Sequence, residues 1–200
     1  ASGTITGNLG VGGVLTYEDV TNVDSVGIIT ARSGIHIDDS IVHIGDTNTK
    51  IRFPAADTIT AETGGSEKVR ITSDGNLLVG ATAVEDWDGR RSHKIQVRGS
   101  NSNNAGISAL ITANDDNPCE IVLGKSRSTG NTIVGSADDV GQIRWSANDG
   151  NGFHSIAFVR ASMDGTPGSD DLPSKLTFGT SADGGTTVSE RLRIDSVGRV

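Results

Sequence analysis

No stretch of this chain runs far without a turn-former. Ser, Thr, Asn, Asp and Gly interrupt it every few residues, and no long Ala, Leu, Glu or Lys segment lies between them. A helix needs an apolar stripe sustained over several turns, so this punctuation excludes a helical fold. Alternation recurs instead. Ile95 and Val97, then Ile107, Ala109 and Ile111, then Ile121 and Leu123, then Ile143 and Trp145 each skip one residue, as a half-buried strand requires. Runs at 156–159, 176–178 and 192–194 continue the series. With 27 glycines in 200 residues, about twice the usual ~7% and without the three-residue period of collagen, the chain reads as short strands joined by tight turns. The expected class is all-β: a sandwich, prism or solenoid.

Laid over itself, the chain shows one internal repeat. Glu67, Val69, Arg70, Ile71, Ser73, Gly75 and Leu77 correspond to Glu190, Leu192, Arg193, Ile194, Ser196, Gly198 and Val200 at a constant offset of 123. The unit is a strand with apolar residues two apart, a Ser-Asp-Gly type turn in its first copy, and a second short strand (Leu77, Val79), which is a hairpin. Each copy follows a Phe (Phe53, Phe178) and a pair of glycines (Gly64 and Gly65, Gly184 and Gly185). The offset far exceeds the roughly 20 to 50 residues of a solenoid repeat, so the unit is a duplicated module or cap. The expected organisation is 1–50 as a shaft module, 51–85 as the hairpin module, and 86–200 as a β-sandwich-like module ending in the second hairpin.

Five of the seven aromatic residues (Tyr17, Phe53, Trp87, Trp145, Phe153, Phe158, Phe178) lie after residue 80. The N-terminal third therefore has little with which to build a private core, and its short Val, Leu and Ile side chains are most readily buried against other copies of the chain. The net charge of −8, from 17 basic and 25 acidic residues, disfavours a phosphate backbone, and no basic cluster offsets it, so nucleic acid is excluded as a partner. No run approaches the ~18 apolar residues that span a bilayer, and the start does not resemble a signal peptide. The chain opens on Ala1 without an initiator Met, as a fragment or processed product does. Cys119, the single cysteine, is expected to be a small buried hydrophobe.

Two stretches resemble known modules. Leu15-Thr16-Tyr17-Glu18-Asp19-Val20-Thr21-Asn22-Val23-Asp24-Ser25-Val26-Gly27 with Ile29 to Ile35, and Ile51-Arg52-Phe53-Pro54-Ala55-Ala56-Asp57-Thr58 with Val69 to Gly80, are similar to modules of tail-fibre and structural proteins of marine cyanophages and related tailed bacteriophages. The C-terminal part, with Asp164-Gly165-Thr166-Pro167-Gly168, Pro173, Leu176-Thr177-Phe178, Asp183-Gly184 and Glu190 to Ile194, resembles the fibre region upstream of a self-cleaving intramolecular chaperone. Lys125-Ser126-Arg127 and Asn131 to Val134 match more loosely. The resemblance implies an elongated homotrimeric fibre with a β-prism or β-helix-like shaft, located in the virion appendage. It also implies contacts to other tail or fibre proteins and a part in host attachment through a surface glycan or protein receptor.

The residues themselves point away from catalysis. Asp38-Asp39, Asp115-Asp116, Asp138-Asp139 and Asp170-Asp171 are neighbours, and neighbours on a strand face opposite ways, so none is a paired-carboxylate site. The glycines of Gly7-Asn8-Leu9-Gly10-Val11-Gly12-Gly13 precede no helix pattern and read as turns, not a dinucleotide loop. His36, His43, His93 and His154 are too scattered for a compact ligand pair. Asn148-Asp149-Gly150-Asn151-Gly152 partly matches a calcium loop but fits a hairpin turn equally well. Trp87, in a polar stretch, suits an interface cap better than a sugar platform. Arg70 and Arg193 are expected to pair with Glu67 and Glu190; a spacing of three puts the two on opposite faces of one strand, so the partner is expected from another chain. No catalytic, cofactor-binding or metal-binding residue is assigned, and no cofactor. A glycan-depolymerising tailspike fragment and a cell-surface adhesin built from similar modules are the alternatives to a structural fibre segment.

Overall fold

The structure is a computed structural model and describes residues 6, 7, 12, 25, 27–87, 93–112, 114–129 and 132–200. Most of the glycine-rich opening and residues 15–24 and 26 of the first resembling module lie outside the described residues. The chain divides into two units, Ala1–Ile37 and Asp38–Val200. The described residues of the first hold no helix or strand.

The second unit is all-β, with no helix and two sheets among its described residues. The first sheet takes β1 (Ser40–His43), β2 (Asp46–Arg52), β3 (Ile59–Thr63), β4 (Ser66–Ile71), β5 (Leu77–Val79) and β6 (Ile95–Val97), in that order. It is an antiparallel meander except for the parallel β5–β6 pair. The second sheet takes β7 (Asp139–Asn148), β8 (Phe153–Met163), β9 (Ser174–Ser181) and β10 (Val188–Ile194), again antiparallel and neighbour to neighbour.

The alternating runs at 95–97, 143–145, 156–159, 176–178 and 192–194 all lie on these strands. Those at 107–111 and 121–123 do not. Alternation makes a strand only where a partner strand supplies the ladder, and among the described residues none pairs with these runs; Ile107, Leu110, Ile121 and Val122 are more than four-fifths exposed. Cys119 sits in this stretch and is exposed, contrary to its expected burial.

The repeat is geometric as well as sequential. In the first copy Gly75 N–H donates to Thr72 O at 2.8 Å and Thr72 N–H to Asn76 O at 3.0 Å; in the second, Gly198 N–H donates to Asp195 O at 3.0 Å and Asp195 N–H to Arg199 O at 2.9 Å. Thr72 Oγ1 and Asp195 Oδ1 accept the equivalent backbone N–H of Asn76 and Arg199. Both turns need a left-handed residue, φ 72° at Gly75 and 81° at Gly198, which glycine adopts without a Cβ penalty.

The copies also share a β-bulge. Ala61 pairs with Val69 but Glu62 with Glu67, so Lys68 is an extra residue in β4; Phe178 pairs with Leu192 but Gly179 with Glu190, so Arg191 is extra in β10. An extra residue restores same-face alignment to positions three apart. Arg70 therefore grips Glu67 within its own strand through two bonds of 2.7 Å, and Arg193 grips Glu190 at 2.6 and 3.1 Å. The expected partner from another chain is not needed, because the bulge cancels the parity on which that expectation rested.

The buried apolar residues among those described are Leu78, Ala81 and Met163. Leu78 lies in one row with the buried Thr60 and Gln96, and Gln96 ties down the segment leading out of β5 by donating Nε2–H to Glu85 O at 2.8 Å and accepting Glu85 N–H at 3.0 Å. Of the β-sandwich-like module expected for 86–200, the described residues form one sheet, over 139–194, while Ile95–Val97 is the edge strand of the first sheet.

Candidate functional site

Strand register sorts the side chains of each sheet onto two unlike faces, since directly paired residues share a face. In the second sheet one face carries the rows Ile143, Val159, Phe178, Leu192 and Gly141, Ala161, Leu176, Ile194. Trp145 and Ala157 extend it. Leu123 packs against Gly141 at one edge of this face, but among the described residues much of it stays open, with Ile143 58% exposed, Trp145 49% and Leu192 45%. In the first sheet one face carries Ile41, Ile51, Ala61, Val69, Val79 and Val97 across all six strands, and Ile59, Ile71, Leu77 and Ile95 beside them. Ile41, Ile51, Ile59, Ile71 and Ile95 are exposed there too.

The opposite faces are polar. On the first sheet Arg52 bonds Asp39 through Nε at 3.2 Å and a terminal nitrogen at 2.9 Å and reaches Glu62 at 3.4 Å, while Lys50 meets Glu62 at 3.5 Å. The Arg52 bond holds the Asp39 carboxyl below its ordinary value. On the second sheet the rows are Arg144, Phe158, Gly179, Glu190 and Gln142, Arg160, Thr177, Arg193. The Phe158 ring packs against Gly179, where a Cβ would come within 2.4 Å of it, and the Arg160 guanidinium stands 4.4 Å from the ring centroid. Arg160 also meets Asp139 at 3.1 Å and Gln142 at 3.2 Å. The Arg193 bond lowers the Glu190 carboxyl from its ordinary value.

The acidic pairs are dispersed among structural duties. Asp138 accepts Arg127 Nε–H at 2.9 Å, Gly135 N–H at 2.8 Å and Lys125 at 3.0 Å, which together pull its carboxyl far below the usual range and pin the loop ahead of β7. Its neighbour Asp139 accepts the Ser162 hydroxyl at 2.7 Å. Asp115 caps its own turn through Asn117 N–H, and Asp170 has φ 57° in the turn closed by Gly168 and Asp171.

Asn148 to Gly152 forms the β7–β8 turn. Asn148 Oδ1 accepts Gly150 N–H at 2.8 Å and Asp149 Oδ1 accepts Asn151 N–H at 2.9 Å, so these oxygens face backbone donors. His154 lies 3.3 Å from Asp149, while His36, His43 and His93 are exposed elsewhere. Among the described residues no group of three or more His, Cys, Asp or Glu side chains is placed to share a metal ion. Trp87 is half-buried and donates Nε1–H to Glu85 at 2.8 Å.

Of the cationic residues on this face the sequence singles out Arg193, through its place in the repeat, but not Arg144, Arg160 or Lys175. The signal was present: each neighbours an apolar residue of the opposite face (Ile143, Val159, Leu176, Leu192), so the same alternation that marks the apolar face marks this one.

No protein-family model matches the chain, and no curated protein matches it in sequence. Among solved structures the chain is similar to the carboxy-terminal domain of the bacteriophage T5 L-shaped tail fibre, with a TM-score of 0.57 and 13% identity over 88% of this chain and 89% of that one. It is also similar to that domain with its intra-molecular chaperone domain, with a TM-score of 0.56 and 15% identity over 88% of this chain and 61% of that one. At these identities the likeness is one of fold.

Proposed function

We propose that this chain is a non-enzymatic structural segment of a bacteriophage tail fibre, assembled as a homotrimer in the virion appendage and contributing to host attachment. The observation that carries the assembly is the bare apolar face on each sheet. Ile41, Ile51, Ile59, Ile71, Ile95, Ile143 and Trp145 are exposed on regular strands, in register, and need only a matching surface. Other copies of the same chain supply one, since burying apolar area against a partner is how an obligate oligomer completes its core.

The tail-fibre assignment draws on the fold likeness and on the module resemblance in 15–80 and 164–194. The threefold count and the prism- or helix-like shaft draw on the resemblance alone. Within this reading each sheet grows around one copy of the hairpin, the modules follow the sheets at 40–97 and 139–194 and not the divisions near 50 and 86, and the second layer of the C-terminal module comes from neighbouring chains. Asp39, Asp138 and Asp139, each engaged with Arg or Lys, support a structural role over hydrolysis. The mechanism of attachment is multivalent: three weak contacts on one rigid body give avidity. Immunogold labelling of virions that carry the full-length protein tests the assignment. Label on the tail appendage is the expected outcome; label on the capsid, or none on particles, refutes it.

A further inference from the structure

The runs Ile107 to Ile111 and Ile121 to Leu123 lie outside every strand, yet both have the composition of one. Ile107, Ile111, Ile121 and Val122 are β-branched, the type that suits a pleated ladder. Ala109-Leu110-Ile111 and Ile121-Val122-Leu123 are apolar at each step. An extended chain turns consecutive side chains to opposite sides, so such runs suit strands covered on both faces. In the single chain they are covered on neither: Ile121 is 83% exposed and its neighbour Val122 81%.

The second run is nonetheless anchored. Asp138, at the head of β7, takes Lys125 at 3.0 Å and Arg127 Nε–H at 2.9 Å. Leu123 packs on Gly141, where an added Cβ would lie 2.7 Å from the Leu123 Cβ. Gly141 belongs to the apolar row with Ala161, Leu176 and Ile194. The clasp therefore sets the end of the run at the margin of the apolar face that the proposed assembly buries. Together Ile107, Leu110, Ile111, Ile121, Val122 and Leu123 present roughly 800 Å² at their exposures, about what each partner brings to a stable interface.

We infer that both runs are β-strands completed between chains, each forming its ladder with a second copy of this chain. The inference rests on the proposed assembly and adds to it backbone pairing, beyond packing of the sheet faces. A second copy suits the runs because they continue from the apolar face. Each copy also offers ladder edges, since β7 and β10 each pair with one strand among those described. In a closed ring every copy then gives runs and receives them, with none left over.

Hydrogen exchange resolved to peptides, with native mass recorded on the same samples, reads the ladder. At the mass of three chains, amides of 107–111 and 121–123 are expected to exchange about a hundredfold or more slower than in an unstructured peptide. A second measurement separates pairing between chains from a hairpin within one. Isotopically light and heavy chains, both carrying photo-leucine, are mixed unfolded, assembled and irradiated. Cross-links from Leu110 or Leu123 are expected to join light chains to heavy ones. A three-chain assembly whose runs exchange as an unstructured peptide does overturns this inference alone, and is the outcome if the runs await an unrelated partner. Protection without light-to-heavy cross-links also overturns it. A monomeric mass overturns the assembly reading, and this inference with it.

Discussion

Replacing Leu192 by Asp separates the two accounts of the exposed apolar face most sharply. Leu192 lies in the row with Ile143, Val159 and Phe178 and is 45% exposed in the single chain. That exposure leaves roughly 90 Å² to be covered by a partner, worth about 2 kcal/mol per copy at ~25 cal/mol per Å². Three copies in one assembly lose about 6 kcal/mol before the cost of burying three carboxylates is added. At about 1.4 kcal/mol per decade this weakens assembly by four decades or more. If the face were solvent-exposed in the working protein, the same change would be a surface substitution costing about 0.5 kcal/mol or little more. Sedimentation velocity across a wide dilution series, with thermal melting at each concentration, reads the difference. The account expects dissociation and a lower, concentration-dependent melting temperature. A variant that keeps the mass and melting temperature of the parent refutes it.

Two further outcomes follow from specific contacts. Asp39, Asp138, Asp149, Asp164, Glu190 and Asp195 all have carboxyls lowered by hydrogen bonds or ion pairs made in the folded state. A lowered folded value means stability is fully present above the ordinary carboxylate range of about 4 and is lost as pH falls through the folded values. Melting temperature should therefore be flat above about pH 5.5 and drop on acidification below about pH 4, with Asp138→Asn reducing the drop; a rise in stability on acidification contradicts this. Gly80 has φ 74° and leaves no room, since an added Cβ would lie 2.2 Å from Arg98 O. Gly80→Ala should cost about 2 kcal/mol or more through left-handed strain and a shifted β5–β6 pair, and a chemical-denaturation curve matching the parent's would show that the close approach is not constraining.

Much of the fold was readable because strand alternation and turn-formers are local. The pairs Val69 and Ile71, Ile143 and Trp145, and Leu192 and Ile194 announce both their strands and the apolar faces those strands present. The repeat was readable because the turn it encodes needs a glycine at 75 and at 198. The bulges at Lys68 and Arg191 were not, since a bulge is a property of the partner strand's register, and Ala61-Glu62 opposite says nothing of it. Ile107 to Ile111 and Ile121 to Leu123 show the converse. Their alternation was correct as a pattern, yet a ladder needs a second strand, which no local signal guarantees. The polar rows of the second sheet were not readable, since charges on a strand look like a solvated face until register brings Arg144 and Arg160 into adjoining rows with Glu190 and Arg193.

Native mass spectrometry of the chain at neutral pH tests the central claim most directly. The account predicts a species of three times 20.6 kDa that persists on dilution. A folded species of 20.6 kDa, with the strands of both sheets intact and their apolar faces open to water, would contradict it.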